Sequence, residues 1–200
     1  MPFNNVDKTR PEDVFLQHAL EDLSINGAKN LCPVRISQDQ GIENMFEDAD
    51  ALRIALATQG FIELEECMKQ ATPATLPFEE RLFQACKAYL QMTMENPSLL
   101  QLMFGLRKSN ASDAPSSLKT AGDKAFKPLE DIMIDAIAKE QLKTKDSRSA
   151  TLATWSFIHG FSFLMVREGK TLEDDSEELL EMYQNLHRLL SKGLVSERPN

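Results

Sequence analysis

The chain has few of the residues that build metal centres, disulfide frameworks and phosphate loops. Its three cysteines, Cys32, Cys67 and Cys86, form no CxxC pair and no Cys/His cluster. That argues against a zinc site or a disulfide scaffold and reads as reduced, mostly buried thiols of a cytoplasmic protein. The eight glycines are scattered, with no Gly-rich phosphate loop and no GxSxG elbow. The three histidines, His18, His159 and His187, fall on separate segments without a nucleophile beside them. Cys86 with His159 is a conceivable pair, but spacing cannot bring them together. No enzymatic activity, no metal and no cofactor are therefore expected. The first seven residues lack the basic and apolar regions of a signal peptide. No uninterrupted apolar run approaches the ~18 residues needed to cross a bilayer, so no membrane association is expected.

Cations are scarce where the chain begins. Residues 1–50 hold four basic side chains (Lys8, Arg10, Lys29, Arg35) against ten acidic ones, a net −6 out of −9 for the whole chain. Affinity for DNA comes largely from neutralising phosphates with Lys and Arg. A −6 segment repels a duplex unless its few cations gather on one face.

What is present is helical periodicity. Apolar residues make up 42% of the chain, enough for a core, and 26% charged residues fit a solvated surface. Pro11-Glu12-Asp13 opens a first helix whose apolar face is Phe15, Leu16, Ala19, Leu20 and Leu23; Asn26-Gly27 ends it. Residues 28–46, broken by Pro33 and Gly41, predict one or two short, irregular helices. Asp48 or Asp50 caps a long helix to about Gln70, and Pro73 and Pro77 end it. Helices follow over 78–95 and 99–106, then a polar stretch over 107–117, then helices over 119–142, 151–168 and 172–194. Asp174, Asp175, Glu177 and Glu178 lie in the first turns of the last one, where the helix dipole favours anions. The pattern predicts an all-α chain of eight or nine helices. A small three-helix head (1–47) is followed by a helical-bundle body (48–200).

The segment Trp155 to Leu164 is apolar all round, so more than one of its sides must be covered. Trp155 and His159 are four residues apart and share a strip of that helix. They can be a packed aromatic and a hydrogen-bonded core histidine, or they can line a pocket with His159 as its polar handle.

Three segments carry a family resemblance. Met45-Phe46-Glu47-Asp48-Ala49-Asp50-Ala51-Leu52, followed by Gln59-Gly60-Phe61, is similar to the join between recognition helix and connecting helix in TetR-family repressors. Glu95-Asn96-Pro97 through Leu102-Met103-Phe104-Gly105 resembles the family's ENPxLxxLMFG-like stretch. Trp155 to Gly160 resembles the Trp-His-Gly type of C-terminal domain. The resemblance implies a TetR-like fold, a head built on a helix-turn-helix, and a cytoplasmic regulator that senses a small molecule. It further implies that the ligand enters between the helices of residues 78–142 and the 151–168 helix, biasing the connecting helix and shifting the heads.

The head departs from that pattern. Only nineteen steps separate Gly27 from Phe46, and no Gly-Val-Ser turn is visible. Glu43 stands where the family places a phosphate-contacting tyrosine, and Ala49 where it commonly has a lysine. DNA binding is therefore expected to be weak or absent, with Lys29, Arg35 and Asn44 as the remaining nucleic-acid candidates.

The candidate lining of an effector pocket is Phe83, Tyr89, Met92, Met103, Phe104, Phe126, Met133, Trp155, His159 and Phe163. With no clear cation cluster in the body, its ligand is expected to be apolar or amphipathic. A homodimer is expected to bury Phe157, Phe161, Leu164, Leu179, Met182, Tyr183, Leu186, Leu189 and Leu190 in a four-helix interface. The alternatives are an interaction module that has lost DNA and acts on another regulator through a protein partner, or a ligand carrier.

Overall fold

The computed structural model describes residues 9–105, 115–171 and 176–194. Residues 1–7, most of the polar stretch over 107–117, and Asp174 and Asp175 lie outside the described residues. The described elements are α1 (Pro11–Asn26), a 3-10 turn (Ala28–Asn30), α2 (Pro33–Gln40), α3 (Ala49–Ala71), α4 (Phe78–Glu95), α5 (Pro97–Gly105), α6 (Ser116–Ala138), α7 (Ser147–Arg167) and α8 (Ser176–Leu194). No β-strand occurs among the described residues, so the fold is all-α. The chain divides into two compact units. One comprises residues 1–64 and 96–125, the other residues 65–95 and 126–200. α3 and α6 each contribute residues to both.

In the first unit, α1 starts with Pro11 in its first turn, where the missing N–H costs nothing, and buries Phe15, Leu16, Ala19 and Leu23. Gly27 ends it at φ +74°, a left-handed backbone that suits glycine, and its N–H donates to the Leu23 carbonyl at 3.0 Å. α2 ends the same way: Gly41 adopts the left-handed conformation and its N–H donates to Ser37. Residues 42–48 then carry no helix. They are held by local bonds. Asn44 Oδ1 accepts from the Phe46 N–H at 3.1 Å, Phe46 packs on Phe15 with ring centroids 5.3 Å apart, and Asp48 Oδ1 accepts from the Ala51 N–H at 2.7 Å as the cap of α3. Further along α3, a Cβ built on Gly60 would stand 2.7 Å from Met103 Sδ and 3.2 Å from Leu99 Cδ1. A side chain there would have to displace the Met103 thioether, so the glycine lets Met103 and Leu99 of α5 lie close to α3. Phe61 and Phe104 stack edge to face beside it at 5.2 Å.

In the second unit, α4 buries Leu82, Ala85, Cys86, Tyr89, Leu90, Met92, Thr93 and Met94. α7 packs against α4. Asp146 caps α7, accepting from the Ser149 N–H at 3.1 Å, so this helix begins four residues earlier than its apolar run. α6 stops earlier than its apolar pattern. Glu140 turns left-handed at φ +56°, and the Gln141 N–H closes on the Ala136 carbonyl at 2.9 Å. A C-terminal turn without glycine gives no sequence signal. α7 is long and apolar enough to span a bilayer by composition alone, yet it buries Ala150, Thr151, Thr154, Ile158, Phe161, Ser162 and Met165 within its own unit. A core helix of a soluble domain passes the same composition test.

Candidate functional site

Helical geometry builds an aromatic cluster in the second unit. Residues 155, 159 and 163 recur every four positions and so line one strip of α7. The Tyr89 ring meets Trp155 edge to face at 5.3 Å, Trp155 meets Phe126 of α6 at 5.3 Å, and His159 meets Phe163 at 4.7 Å. The Tyr89 hydroxyl lies 2.5 Å from His159 Nδ1. Tyr89 is fully buried, and burial pushes its hydroxyl well above the usual phenol range. Burial also lowers the pKa of half-buried His159, which keeps the imidazole neutral at pH 7. The contact fits either direction, and we assign the Tyr89 hydroxyl as donor to Nδ1 with the imidazole hydrogen on Nε2.

Five of the ten pocket candidates, Tyr89, Phe126, Trp155, His159 and Phe163, come together here. Met92 and Met133 are buried in the same unit. Of the other three, Phe83 belongs to the second unit and Met103 and Phe104 to the first. Phe83 packs on Tyr183 of α8 at 5.0 Å and on His187 at 5.1 Å. Met103 and Phe104 pack on Gly60 and Phe61 in the first unit. Nothing in the spacing of α4 distinguishes Phe83 from Tyr89, because both belong to apolar faces of one helix. Sequence reasoning also missed Ser162, which is wholly buried on α7.

The interface candidates divide as well. Phe161, Leu179 and Tyr183 are buried by the chain itself, and the Tyr183 hydroxyl donates to the Phe83 carbonyl at 2.7 Å. Their area is covered within the chain. Leu164, Met182 and Leu189 are exposed, at 48%, 37% and 67%, while Phe157, Leu186 and Leu190 are half-buried. Cys86 is a poor nucleophile. Burial pushes its thiol up to about 12, and it lies close enough to Tyr183 to act on that hydroxyl's titration. His159 Nδ1 is taken by Tyr89.

Two of the three nucleic-acid candidates are engaged internally. Arg35 Nη2 pairs with Asp22 at 2.8 Å and donates to the Asn30 carbonyl at 3.1 Å. The Asn44 side chain is spent on its own turn. Lys29 is exposed.

Acidification should loosen this unit. His159 and His187 both titrate below their ordinary value of 6.5 because they are buried. Below that value the unfolded chain binds more protons, so the stability these groups contribute is complete above it and is lost as pH falls through the folded values. Protonated His159 can no longer accept from Tyr89. The urea midpoint is expected to fall between about pH 7 and pH 5, and to fall less in His159→Gln. Asp135 and Asp146 titrate below 3.8 and act only at lower pH. A flat midpoint over that range, or an unchanged slope in His159→Gln, would refute the assignment.

The chain is thus all-α, with a half-buried Trp-His strip on α7 and a long α3 capped by Asp48. A family model described as "Tetracyclin repressor-like, C-terminal domain" matches residues 82–184, more than half of the chain. The chain belongs to that tetracycline repressor-like family. Solved structures agree with the fold. A protein with unknown function from Rhodococcus sp. RHA1 superposes with a TM-score of 0.82 at 22% identity, over 94% of this chain and 96% of that one. The transcriptional regulator FadR from Bacillus subtilis, in complex with stearoyl-CoA, superposes with a TM-score of 0.71 at 17% identity, over 90% and 97%. A TetR-family regulatory protein from Rhodococcus RHA1 gives 0.65 at 13%, over 90% and 97%. No curated protein matches the chain.

Proposed function

We propose that this protein is a homodimeric regulator of the Trp-His-Gly branch, sensing a small apolar or amphipathic molecule in its second unit, with operator binding impaired or lost. The observation that carries the DNA half is residues 42–48, which run from the Gly41 turn to the Asp48 cap without a helix. The family resemblance places the end of the recognition helix, and its join to the connecting helix, there. A helix-turn-helix needs about twenty residues to seat its second helix in the major groove. Glu43, Glu47 and Asp48 are exposed along the same segment and repel phosphate.

The effector half is supported by the aromatic cluster around Trp155 and His159, whose partners are almost all apolar. The FadR neighbour is a regulator holding an acylated ligand in the same fold. α3 runs unbroken from the first unit into the second and is the covalent path by which occupancy would bias the head. The dimer is supported by the exposed apolar positions of α7 and α8.

The test is selection from a random duplex library in about 50 mM salt, where phosphate contacts are strongest. No enriched sequence and dissociation constants weaker than about 10 µM are expected, against the 10⁻⁸–10⁻¹¹ M typical of specific binders. One enriched sequence bound at nanomolar affinity would overturn the reading of the head. A second reading, an interaction module acting on another regulator, is favoured by exposed apolar residues of the first unit: Ile25 at 79%, Val34 at 53% and Met45 at 40%.

A further inference from the structure

The inference rests on the effector reading above and concerns the polar end of the ligand. The buried threonine hydroxyls of these helices turn back onto the backbone. Thr151 and Thr154 of α7 donate to the Ser147 and Ala150 carbonyls at 2.7 and 3.0 Å, and Thr93 of α4 donates to the Tyr89 carbonyl at 2.9 Å. Ser162 does not. Its side chain is wholly buried and its Oγ has no hydrogen-bond partner in the chain. A buried polar group left so is costly and uncommon, and it calls for a reason.

Position supplies one. Ser162 lies three residues beyond His159 and seven beyond Trp155, so it flanks the aromatic strip. Its Cβ is about 5–6 Å from that of His159. It belongs to the buried face of α7, next to the strip, so a polar group of an apolar molecule packed on those rings would come within its reach.

The charges nearby decide what that group can be. The cation on the Tyr89 strip of α4 is half-buried Arg81, two turns away, or about 12 Å along the helix. It pairs with Asp135 at 2.9 Å, and Asp135 also holds Lys139 at 2.8 Å. Tyr89 is hydrogen-bonded to His159, which burial keeps neutral. A carboxylate placed here would be desolvated without a neutralising cation, which is heavily penalised. A hydroxyl, ketone, ester or amide carries no such penalty and accepts from Ser162.

We propose that Ser162 is a specificity-determining residue of the effector site, selecting an apolar molecule with one uncharged hydrogen-bonding group over a carboxylate of the same body. Trp155 is the only tryptophan of the chain and touches the cluster, so its emission reads occupancy directly.

The experiment titrates the full-length protein with 1-decanol, decanamide and decanoate at about pH 7.5, where decanoate is ionised. The alcohol and the amide are expected to bind at least about tenfold more tightly than decanoate. Ser162→Ala is expected to weaken both by about tenfold, the worth of one hydrogen bond, to leave decanoate unchanged, and to keep or raise the Tm of the empty protein. Decanoate binding as tightly as decanol in the wild type, or a preference that survives in Ser162→Ala, overturns the proposal and leaves the effector reading standing. The wild-type series decides this even if the variant folds poorly. A Trp155 signal that responds to none of the three overturns the effector reading, and this proposal with it.

Discussion

Replacing Tyr89 with alanine is expected to destabilise the second unit by about 4 kcal/mol, within the range for truncating a large buried aromatic. Two losses combine. The ring leaves a cavity against Trp155, and the donor to His159 Nδ1 disappears. For a chain of this length that corresponds to a Tm lower by roughly 8–16 °C. Tyr89→Phe separates the two losses. It keeps the ring and deletes the hydroxyl, so it is expected to cost about 1–3 kcal/mol, the range for removing one member of a buried hydrogen bond. A double-mutant cycle of Tyr89→Phe with His159→Gln should show coupling, because the two residues share one bond. Thermal melts followed by Trp155 emission read both effects. A Tyr89→Ala cost below about 1 kcal/mol would be that of a surface substitution, and the cluster would not be the organiser of this unit.

The second large effect is on assembly. Ala153, Phe157, Gly160 and Leu164 recur at heptad spacing on α7, and Met182, Leu186, Leu189 and Gly193 do so on α8. In each row the apolar side chains are exposed or half-buried. A Cβ on Gly160 would meet nothing within 4 Å, so that row keeps a shallow notch midway along its length. In the proposed dimer, two such helices from each of two copies would form a four-helix seam. Placing aspartate at both Leu164 and Leu189 puts four carboxylates into that seam. Association is expected to weaken at least about 100-fold, since buried unpaired charges are costly. Light scattering at about 10 µM should report a dimer for the wild type and a monomer for the variant, and the wild-type Tm should rise with concentration. A monomeric wild type, or a double variant that stays dimeric, would remove the seam.

The two predictions differ in how far the sequence reaches. That Trp155, His159 and Phe163 share a strip needs only the residue count of a helix turn. What faces that strip does not follow from it. Tyr89 and Phe83 sit six residues apart on one apolar helix, yet one meets α7 and the other meets α8. α8 shows the same limit. Its periodicity marks Leu179, Met182, Tyr183, Leu186 and Leu189 alike as apolar, but Leu179 and Tyr183 turn into the chain's own core while Leu189 faces outward. A helix with more than one apolar strip does not declare which strip its own chain covers.

The sequence by itself determined the helical class and most of the helix ends, because proline, glycine and aspartate act on the backbone within a few residues of where they stand. Pro11, Gly27, Gly41 and Asp48 are punctuation of that kind, and so is the short span between Gly27 and Phe46. Only the tertiary structure decided that Tyr89 closes on His159, that Met103 lies against Gly60, and that Ser162 is buried with no partner. Those facts depend on which helix lies opposite, and contacts between segments far apart in the chain are set by how whole faces pack together.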